Sequence, residues 1–120
     1  MKIYLSHASG YDYENKLYKP LKGTFAGEHE FFFPHDERPE GVNAREALPS
    51  YDVMLAEVSY PSTGQGIELG RAESAGVPIV CFYRAGSRIS SSLRFVSDTI
   101  VEYVDNDDMI SKIDAVLKEM

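Results

Sequence analysis

The sequence has few of the features that mark disulfide-rich or membrane proteins. Cys81 is the only cysteine among 120 residues, which excludes an internal disulfide framework and a multi-cysteine metal site. It lies in an apolar run, where a buried, inert thiol is expected. No apolar run approaches the roughly 20 residues of a membrane-spanning helix, and the N-terminal residues lack the apolar core of a secretory signal. We therefore expect a soluble, cytoplasmic protein.

Positive charge is also scarce, because 12 Lys and Arg face 19 Asp and Glu, for a formal net charge of −7. Such a surface repels phosphodiester backbones, so we expect no nucleic-acid polymer as a partner. The surplus is uneven: residues 98–120 carry seven acidic and two basic side chains, whereas residues 1–97 carry twelve and ten. The first 97 residues are thus nearly neutral and can accommodate a small anion.

Short apolar runs alternate with helix-like segments along the chain. The predicted strands are Lys2–Ser6, His29–Phe33, Tyr51–Val58, Val77–Tyr83 and Thr99–Val104. The predicted helices are Tyr11–Leu21, with Pro20 near its end, Asn43–Leu48, Ile67–Ala75 and Asp107–Glu119, and Pro34–Val42 is expected to be loop. This alternation predicts one α/β domain over residues 1–120, a doubly wound, flavodoxin-like three-layer sandwich with a five-stranded parallel sheet of order 2-1-3-4-5. In such a sheet the ligand lies beyond the carboxyl ends of strands 1 and 3.

The segment after the third strand carries the clearest chemical signal. Ser62 and two glycines, Gly64 and Gly66, precede a predicted helix, and small residues with free backbone N–H groups at a helix N-terminus suit a phosphate-sized anion. Glu68 is expected in the first turn of that helix, where the helix dipole would keep a carboxylate nucleophile ionised. A bare Gly-x-Gly is more often a serine-capped turn that binds no ligand.

This region also resembles a known family. The sequences Asp52-Val-Met-Leu-Ala-Glu-Val-Ser59, Pro61-Ser62 and Gly64-Gln-Gly-Ile-Glu-Leu-Gly-Arg-Ala72 are similar to those of the nucleoside 2-deoxyribosyltransferase superfamily, nearest to its 2′-deoxynucleoside 5′-phosphate N-hydrolases. The resemblance implies cleavage, by hydrolysis or base exchange, of the N-glycosidic bond of a small nucleoside or nucleoside 5′-monophosphate, with deoxyribose as the expected sugar. It implies a covalent glycosyl-glutamate intermediate, no cofactor, and a homodimer.

The resemblance also assigns roles to individual residues. Glu68 matches the catalytic glutamate, and Tyr4 matches a tyrosine that orients the nucleophile or the sugar. The positions that match the 5′-phosphate cradle are Ser62, Gly64 and Gly66. Ser91, in the run Ser90-Ser91-Ser92, matches a serine that reaches the phosphate bound by the neighbouring subunit.

Two departures from the family concern the leaving group and the phosphate. Ala44 stands where the family has an aspartate that assists departure of the base, and His7-Ala-Ser-Gly10 replaces a loop rich in glycine and arginine. The departing base needs a proton. Either His7, after the first strand, or His35, after the second, could serve as that acid or as a phosphate partner. The candidates at these strand ends are Ser6, His7, His35 and Asp36. Their spacing does not suggest a zinc site, and no metal is expected.

Two other interpretations remain open. The segment Ile3-Tyr-Leu-Ser-His-Ala-Ser9 resembles the first strand of bacterial TIR domains, which share this architecture and can cleave the nicotinamide glycosidic bond of NAD. The missing aspartate and arginine are also compatible with a catalytically silent nucleotide-binding module. Glu57 and Asp52, at the two ends of the third strand, are expected to be structural.

Overall fold

The computed structural model describes residues 1–25 and 27–120. Its five strands are Lys2–His7 (β1), Glu30–Phe32 (β2), Val53–Glu57 (β3), Ile79–Arg84 (β4) and Thr99–Tyr103 (β5). They form one sheet of order β2-β1-β3-β4-β5 in which every neighbouring pair is parallel. The predicted architecture and strand order are therefore confirmed. His7 pairs in register with Glu57, which places the carboxyl ends of β1 and β3 side by side.

The helices cover both faces of this sheet. They are Lys19–Phe25 (α1), preceded by wider π-helical turns at Glu14–Tyr18, then Pro34–Glu37 (α2), Ala44–Ala47 (α3), Thr63–Ser74 (α4) and Asn106–Lys118 (α5). Short 3₁₀ turns lie at Leu48–Ser50 and Ser91–Phe95. Among the described residues, no helix has the length and apolarity needed to cross a bilayer.

Two apolar layers, one on each face, hold the sheet between the helices. Because side chains alternate along a strand, Ile3 and Leu5 of β1 join the layer formed with α1 and α5. Tyr4 lies in the other layer, with α3 and α4. The same alternation points Ser6 towards α4 and His7 towards the Glu14–Tyr18 turns, which determines the partners of both residues.

The first helical segment differs from its predicted bounds. Helical residues run from Glu14 to Phe25, so Pro20 lies inside the helix instead of near its end. Proline lacks an N–H and its ring clashes with the carbonyl four residues earlier. Here Lys19 donates its N–H five residues back, to the Glu14 carbonyl. Such a π-helical turn is a known way to relieve a local break in the hydrogen-bond ladder.

The start of α4 also differs from its predicted position, and this helix carries the candidate site. The helix begins at Thr63, four residues before the predicted start, and Ser62 is its N-cap, accepting the Gln65 N–H at 3.3 Å. Gly64 and Gly66 therefore belong to the first helical turns and not to a loop before them. Their low helix propensity explains why the sequence pattern placed the start too late.

Candidate active site

Glu68 is the centre of the candidate site. It projects from α4 towards β1, where the Tyr4 hydroxyl donates to Oε2 and the Ser6 hydroxyl donates to Oε1 at 3.0 Å. The Tyr4 ring is packed between Phe32 and Tyr51, each with its ring centroid 5.3 Å away. Two donors on a buried strand therefore fix both oxygens of one carboxylate.

The ionisation of Glu68 depends on these two donors. Burial raises its pKa, and the hydrogen bonds from Tyr4 and Ser6 offset only part of that rise. Burial, reinforced by the neighbouring Glu68 charge, raises the pKa of Tyr4 as well, so its hydroxyl stays a donor. The prediction of a first-turn position was wrong: Glu68 is the sixth residue of α4, and the dipole effect fades beyond the first turn.

A cavity of about 730 Å³ opens in front of Glu68, within the size range of small-molecule sites. The end of β1, α2, the start of α3 and one face of α4 line it. Gly64, Glu68 and Arg71 all contribute to the α4 wall, as expected for residues four and three positions apart on a helix. The cavity therefore runs along α4 from its N-terminus past the carboxylate.

The N-terminal end of α4 offers an anion site to this cavity. Ser62 and Gly64 line it, and the first N–H groups of a helix have no intrahelical acceptor. A Cβ added at Gly64 would meet no atom within 4 Å, so the space at this helix end is open. Gly66 instead faces a second, more apolar cavity of about 500 Å³, which α4 forms with the Ser91–Phe95 turn. The two glycines of the motif thus line different cavities.

His7 lies at the cavity but is committed to internal hydrogen bonds. Its Nδ1 is 2.7 Å from the Ala8 carbonyl and its Nε2 is 2.7 Å from the Tyr18 hydroxyl. A carbonyl can only accept, so we infer that Nδ1 carries the proton and Nε2 accepts from Tyr18. Burial lowers the pKa of His7 to about 4, so it is neutral near pH 7.

The other predicted residues divide into those at the cavity and those outside it. The exposed His35 ring lines the cavity mouth and packs against His7 at a centroid distance of 4.8 Å. Asp36 instead pairs with Lys22 of α1. Ser91 is exposed on its 3₁₀ turn and does not line the second cavity, whereas Ser90 and Ser92 do.

Comparison with known proteins gives both full-length and partial matches. No protein-family profile matches the chain. A segment of 53 residues, 42% of this chain and 32% of the relative, is 45% identical to the 5-hydroxymethyl-dUMP N-hydrolase of Rattus norvegicus. A protein of Syntrophotalea carbinolica, provisionally named a 2′-deoxynucleoside 5′-phosphate N-hydrolase, is 27% identical over 99% of this chain and 93% of its own length.

Two solved structures share the fold over nearly the whole chain. The Clostridium botulinum CMP N-glycosidase matches 95% of this chain and 99% of its own, with a TM-score of 0.69 and 18% identity. The 2-deoxyribosyltransferase of Bacillus psychrosaccharolyticus matches 91% of this chain and 90% of its own, with a TM-score of 0.63 and 20% identity. The resemblance to the nucleoside 2-deoxyribosyltransferase superfamily is confirmed. At 18% and 20% identity, the two structures establish the fold alone. The matched segment covers only about a third of the length of the rat relative.

Within this superfamily fold, the structure adds residues that sequence reasoning did not select. Arg71 and Arg45 line the Glu68 cavity together with Asn43. The signal for Arg71 was its spacing, because a residue three positions after Glu68 shares its helix face. Arg45 directly follows Ala44, which the sequence resemblance aligned with the family aspartate. Gln65 was also missed: it is buried, and its amide donates to the Glu57 carbonyl at 2.8 Å, which fastens the start of α4 to β3.

Glu57 is a fully buried carboxylate, in contrast to the half-buried Glu68, and it serves the loop after β3. It accepts the Ser59 N–H at 2.6 Å and the Ser59 hydroxyl at 2.9 Å, as well as the Tyr103 hydroxyl. The Ser59 oxygen in turn accepts the Arg84 N–H at 2.8 Å. These contacts agree with the structural role expected for Glu57. Among the described residues, no group of three or more His, Cys, Asp and Glu side chains could hold a metal ion.

Proposed function

We propose that this chain cleaves the N-glycosidic bond of a small nucleoside or nucleoside 5′-monophosphate, with Glu68 as the nucleophile. The observation that carries the proposal is the Glu68 carboxylate, held by Tyr4 and Ser6 at the wall of a 730 Å³ cavity. The activities named for the relatives and the fold neighbours, N-hydrolase, N-glycosidase and deoxyribosyltransferase, support the same chemistry.

The reaction proceeds in two steps. A Glu68 oxygen attacks C1′ of the sugar, and the C1′–N bond breaks with its electron pair passing to the base through an oxocarbenium-like transition state. Tyr4 and Ser6 keep the carboxylate oriented, which removes much of the entropic cost of the attack. Water then attacks C1′ of the glycosyl ester and restores the carboxylate. A second base in place of water gives base exchange.

The α4 axis orients the substrate. Gly64 precedes Glu68 by four residues, about 6 Å at 1.5 Å per residue, a distance that a furanose and its 5′ carbon can span. A 5′-phosphate at the α4 N-terminus therefore places C1′ near Glu68. The base then lies on the other side of Glu68, towards Arg71 and the start of α3. Deoxyribose remains the expected sugar.

His35, and not His7, is the histidine we assign to proton exchange with the base. Both nitrogens of His7 are occupied and its pKa of about 4 leaves it neutral. The exposed His35 ring lines the cavity, and only its backbone N–H is bonded, to the Tyr18 hydroxyl at 3.1 Å, among the contacts of the described residues. His7 and Tyr18 therefore position His35 at the cavity mouth.

The decisive experiment is the Glu68→Gln variant, tested on a panel of nucleosides and nucleoside 5′-monophosphates with free base detected by chromatography. We expect base release to fall by at least about 10³-fold, because the amide is a poor nucleophile. When the wild-type reaction is stopped with acid, we also expect mass spectrometry to show the added mass of the sugar on Glu68. The matched control is Glu73→Gln, an exposed glutamate of the same helix, which should retain full activity.

Two outcomes would contradict the proposal. One is wild-type protein that releases no base from any member of the panel. The other is a Glu68→Gln variant that is folded, as judged by circular dichroism, and as active as Glu73→Gln.

A further inference from the structure

The cavity in front of Glu68 contains two arginines, although the chain as a whole is acidic. Arg71 and Arg45 both line this cavity, and Glu68 is the only carboxylate among its described lining residues. Within the described part of the chain, neither guanidinium has a carboxylate within 4 Å, since the four ion pairs involve other residues. Two arginine side chains are thus available to a ligand.

The position of these arginines matches the leaving base and not the phosphate. Arg71 lies three residues beyond Glu68, about 4.5 Å further from the α4 N-terminus. The 5′-phosphate was assigned to the opposite end of the same helix face, at Ser62 and Gly64. Arg45 belongs to α3, which lines the same cavity. A base attached to C1′ at Glu68 would therefore meet guanidinium N–H groups.

The guanidinium groups of Arg71 and Arg45 act differently from a carboxylic acid. A guanidinium does not release its proton under these conditions, so it cannot protonate a departing base. It can stabilise negative charge on carbonyl oxygens through paired, charge-assisted hydrogen bonds. Ala44 supplies no acid of its own at the start of α3. The chemistry of these side chains therefore favours departure of the base as an anion.

We propose that Arg71, with Arg45 of the same cavity, stabilises the departing base as an anion when that base carries ring carbonyl oxygens. This inference rests on the proposed glycosidase function. When the C1′–N1 bond breaks, its electron pair stays on the base and delocalises onto the two ring carbonyl oxygens, which the guanidinium groups bind. Water later attacks C1′ of the Glu68 ester, its oxygen joins the sugar, and its proton ends on the base anion, with His35 as the carrier. Bases that must be protonated to leave, such as adenine, gain little from this arrangement.

The test uses deoxyuridine 5′-monophosphates with 5-fluoro, unsubstituted and 5-methyl bases, whose released bases decrease in acidity in that order. For Arg71→Gln we expect kcat/KM to fall by about 10²-fold, the usual effect of removing one charge-stabilising donor. The loss should be smallest for the 5-fluoro base and largest for the 5-methyl base. Arg71→Lys should recover part of the activity, because it keeps the charge but not the paired donors. Arg38→Gln is the control, since Arg38 is exposed and lies within 3.8 Å of Glu40.

The outcomes separate this inference from the proposed function. A loss in Arg71→Gln that is equal for all three bases, or no loss at all, overturns the role of Arg71 while leaving Glu68 as the nucleophile. Wild-type preference for adenine nucleotides overturns it in the same way. Failure of wild-type protein to release any base overturns the proposed function itself. Unchanged melting temperatures for both Arg71 variants show that the comparison concerns folded protein.

Discussion

At the residue scale, the site is determined by which face of β1 each side chain occupies. The motif predicted Tyr4 and Glu68 from the sequence, and the structure brings their side chains together. The different fates of the two histidines were not predictable in the same way. The sequence pattern ended the first strand at Ser6, but β1 includes His7, so the alternation of the strand turns that ring towards Tyr18. One residue of strand length thus decides whether His7 is a free acid or a buried, neutral positioning residue.

The hydrogen bond from Tyr4 should set the pH dependence of the reaction. As the proposed nucleophile, Glu68 must be ionised to attack, so we expect kcat/KM to be lost as the pH falls through its raised pKa. The Tyr4 hydrogen bond lowers that pKa, and Tyr4→Phe removes it. We expect the acidic limb of the kcat/KM profile to move to higher pH in this variant. At the pH optimum, kcat should fall by about 10- to 10²-fold, estimated from the 1–3 kcal/mol of one hydrogen bond to a charged group.

Tyr51→Phe provides the control for this measurement. Tyr51 packs its ring edge against Tyr4 at 5.3 Å, and its hydroxyl makes no contact with Glu68 among the hydrogen bonds of that carboxylate. The dependence of kcat/KM on pH in Tyr51→Phe should coincide with that of the wild type. An acidic limb that stays in place in Tyr4→Phe would show that a group other than Glu68 controls it.

At the element scale, the sequence predicted the parallel sheet well and the helix starts poorly. Strands that are buried on both faces appear as nearly continuous apolar runs, as in Val53–Glu57. Helix α4 has no comparable signal at its start, because glycines occupy its first turns and Ser62 is the N-cap. Its end was predictable, since Gly76 follows the last helical residues with a φ of +73°. Gly76 therefore has a conformational reason in its positive φ, whereas Gly64 and Gly66 lie in the first turns of the helix without one.

Two alanine substitutions in this segment should change stability in opposite directions. Gly76→Ala forces a side chain into the left-handed region, which costs about 1 kcal/mol. Gly70→Ala lies inside α4, where an added Cβ meets no atom within 4 Å, and should increase the free energy of unfolding by about 0.5–1 kcal/mol through helix propensity. Urea unfolding of both variants measures the two values. A Gly76→Ala variant at least as stable as the wild type would show that backbone conformation is not the controlling factor at Gly76.

At the scale of the whole molecule, the sheet order separates the acidic segment from the site. Residues 98–120 form β5 and α5, and β5 is the edge strand two positions away from β3. The site lies at the carboxyl ends of β1 and β3, next to two arginines. The net charge of −7 therefore does not oppose an anionic substrate, because interactions between exposed charges weaken strongly over about 10 Å at 0.1 M salt.

We propose that the whole enzyme is a homodimer in which Ser91 reaches the phosphate in the neighbouring subunit's site. Ser91 is exposed and lies on the 3₁₀ turn beside Phe95, whose ring is 73% exposed. An exposed aromatic ring next to a predicted phosphate-binding serine is what a subunit contact at this turn would bury. The sequence predicted this arrangement only through the family resemblance. A single chain with an outward-facing serine is compatible with it but does not contain the partner.

Mixing one variant that lacks the nucleophile with one that has a weakened phosphate contact tests this arrangement directly. Glu68→Gln lacks the nucleophile, and Ser91→Ala should have a KM for the nucleoside 5′-monophosphate raised by about tenfold, for the loss of one hydrogen bond to a charged group. If Ser91 acts across the interface, a mixed dimer contains one site with both wild-type residues. Co-refolding equal amounts should therefore give a fraction of sites with the wild-type KM, in a species of twice the chain mass by light scattering. If Ser91 acts within its own chain, no site regains both residues, and the mixture retains only the high KM of the Ser91→Ala subunits.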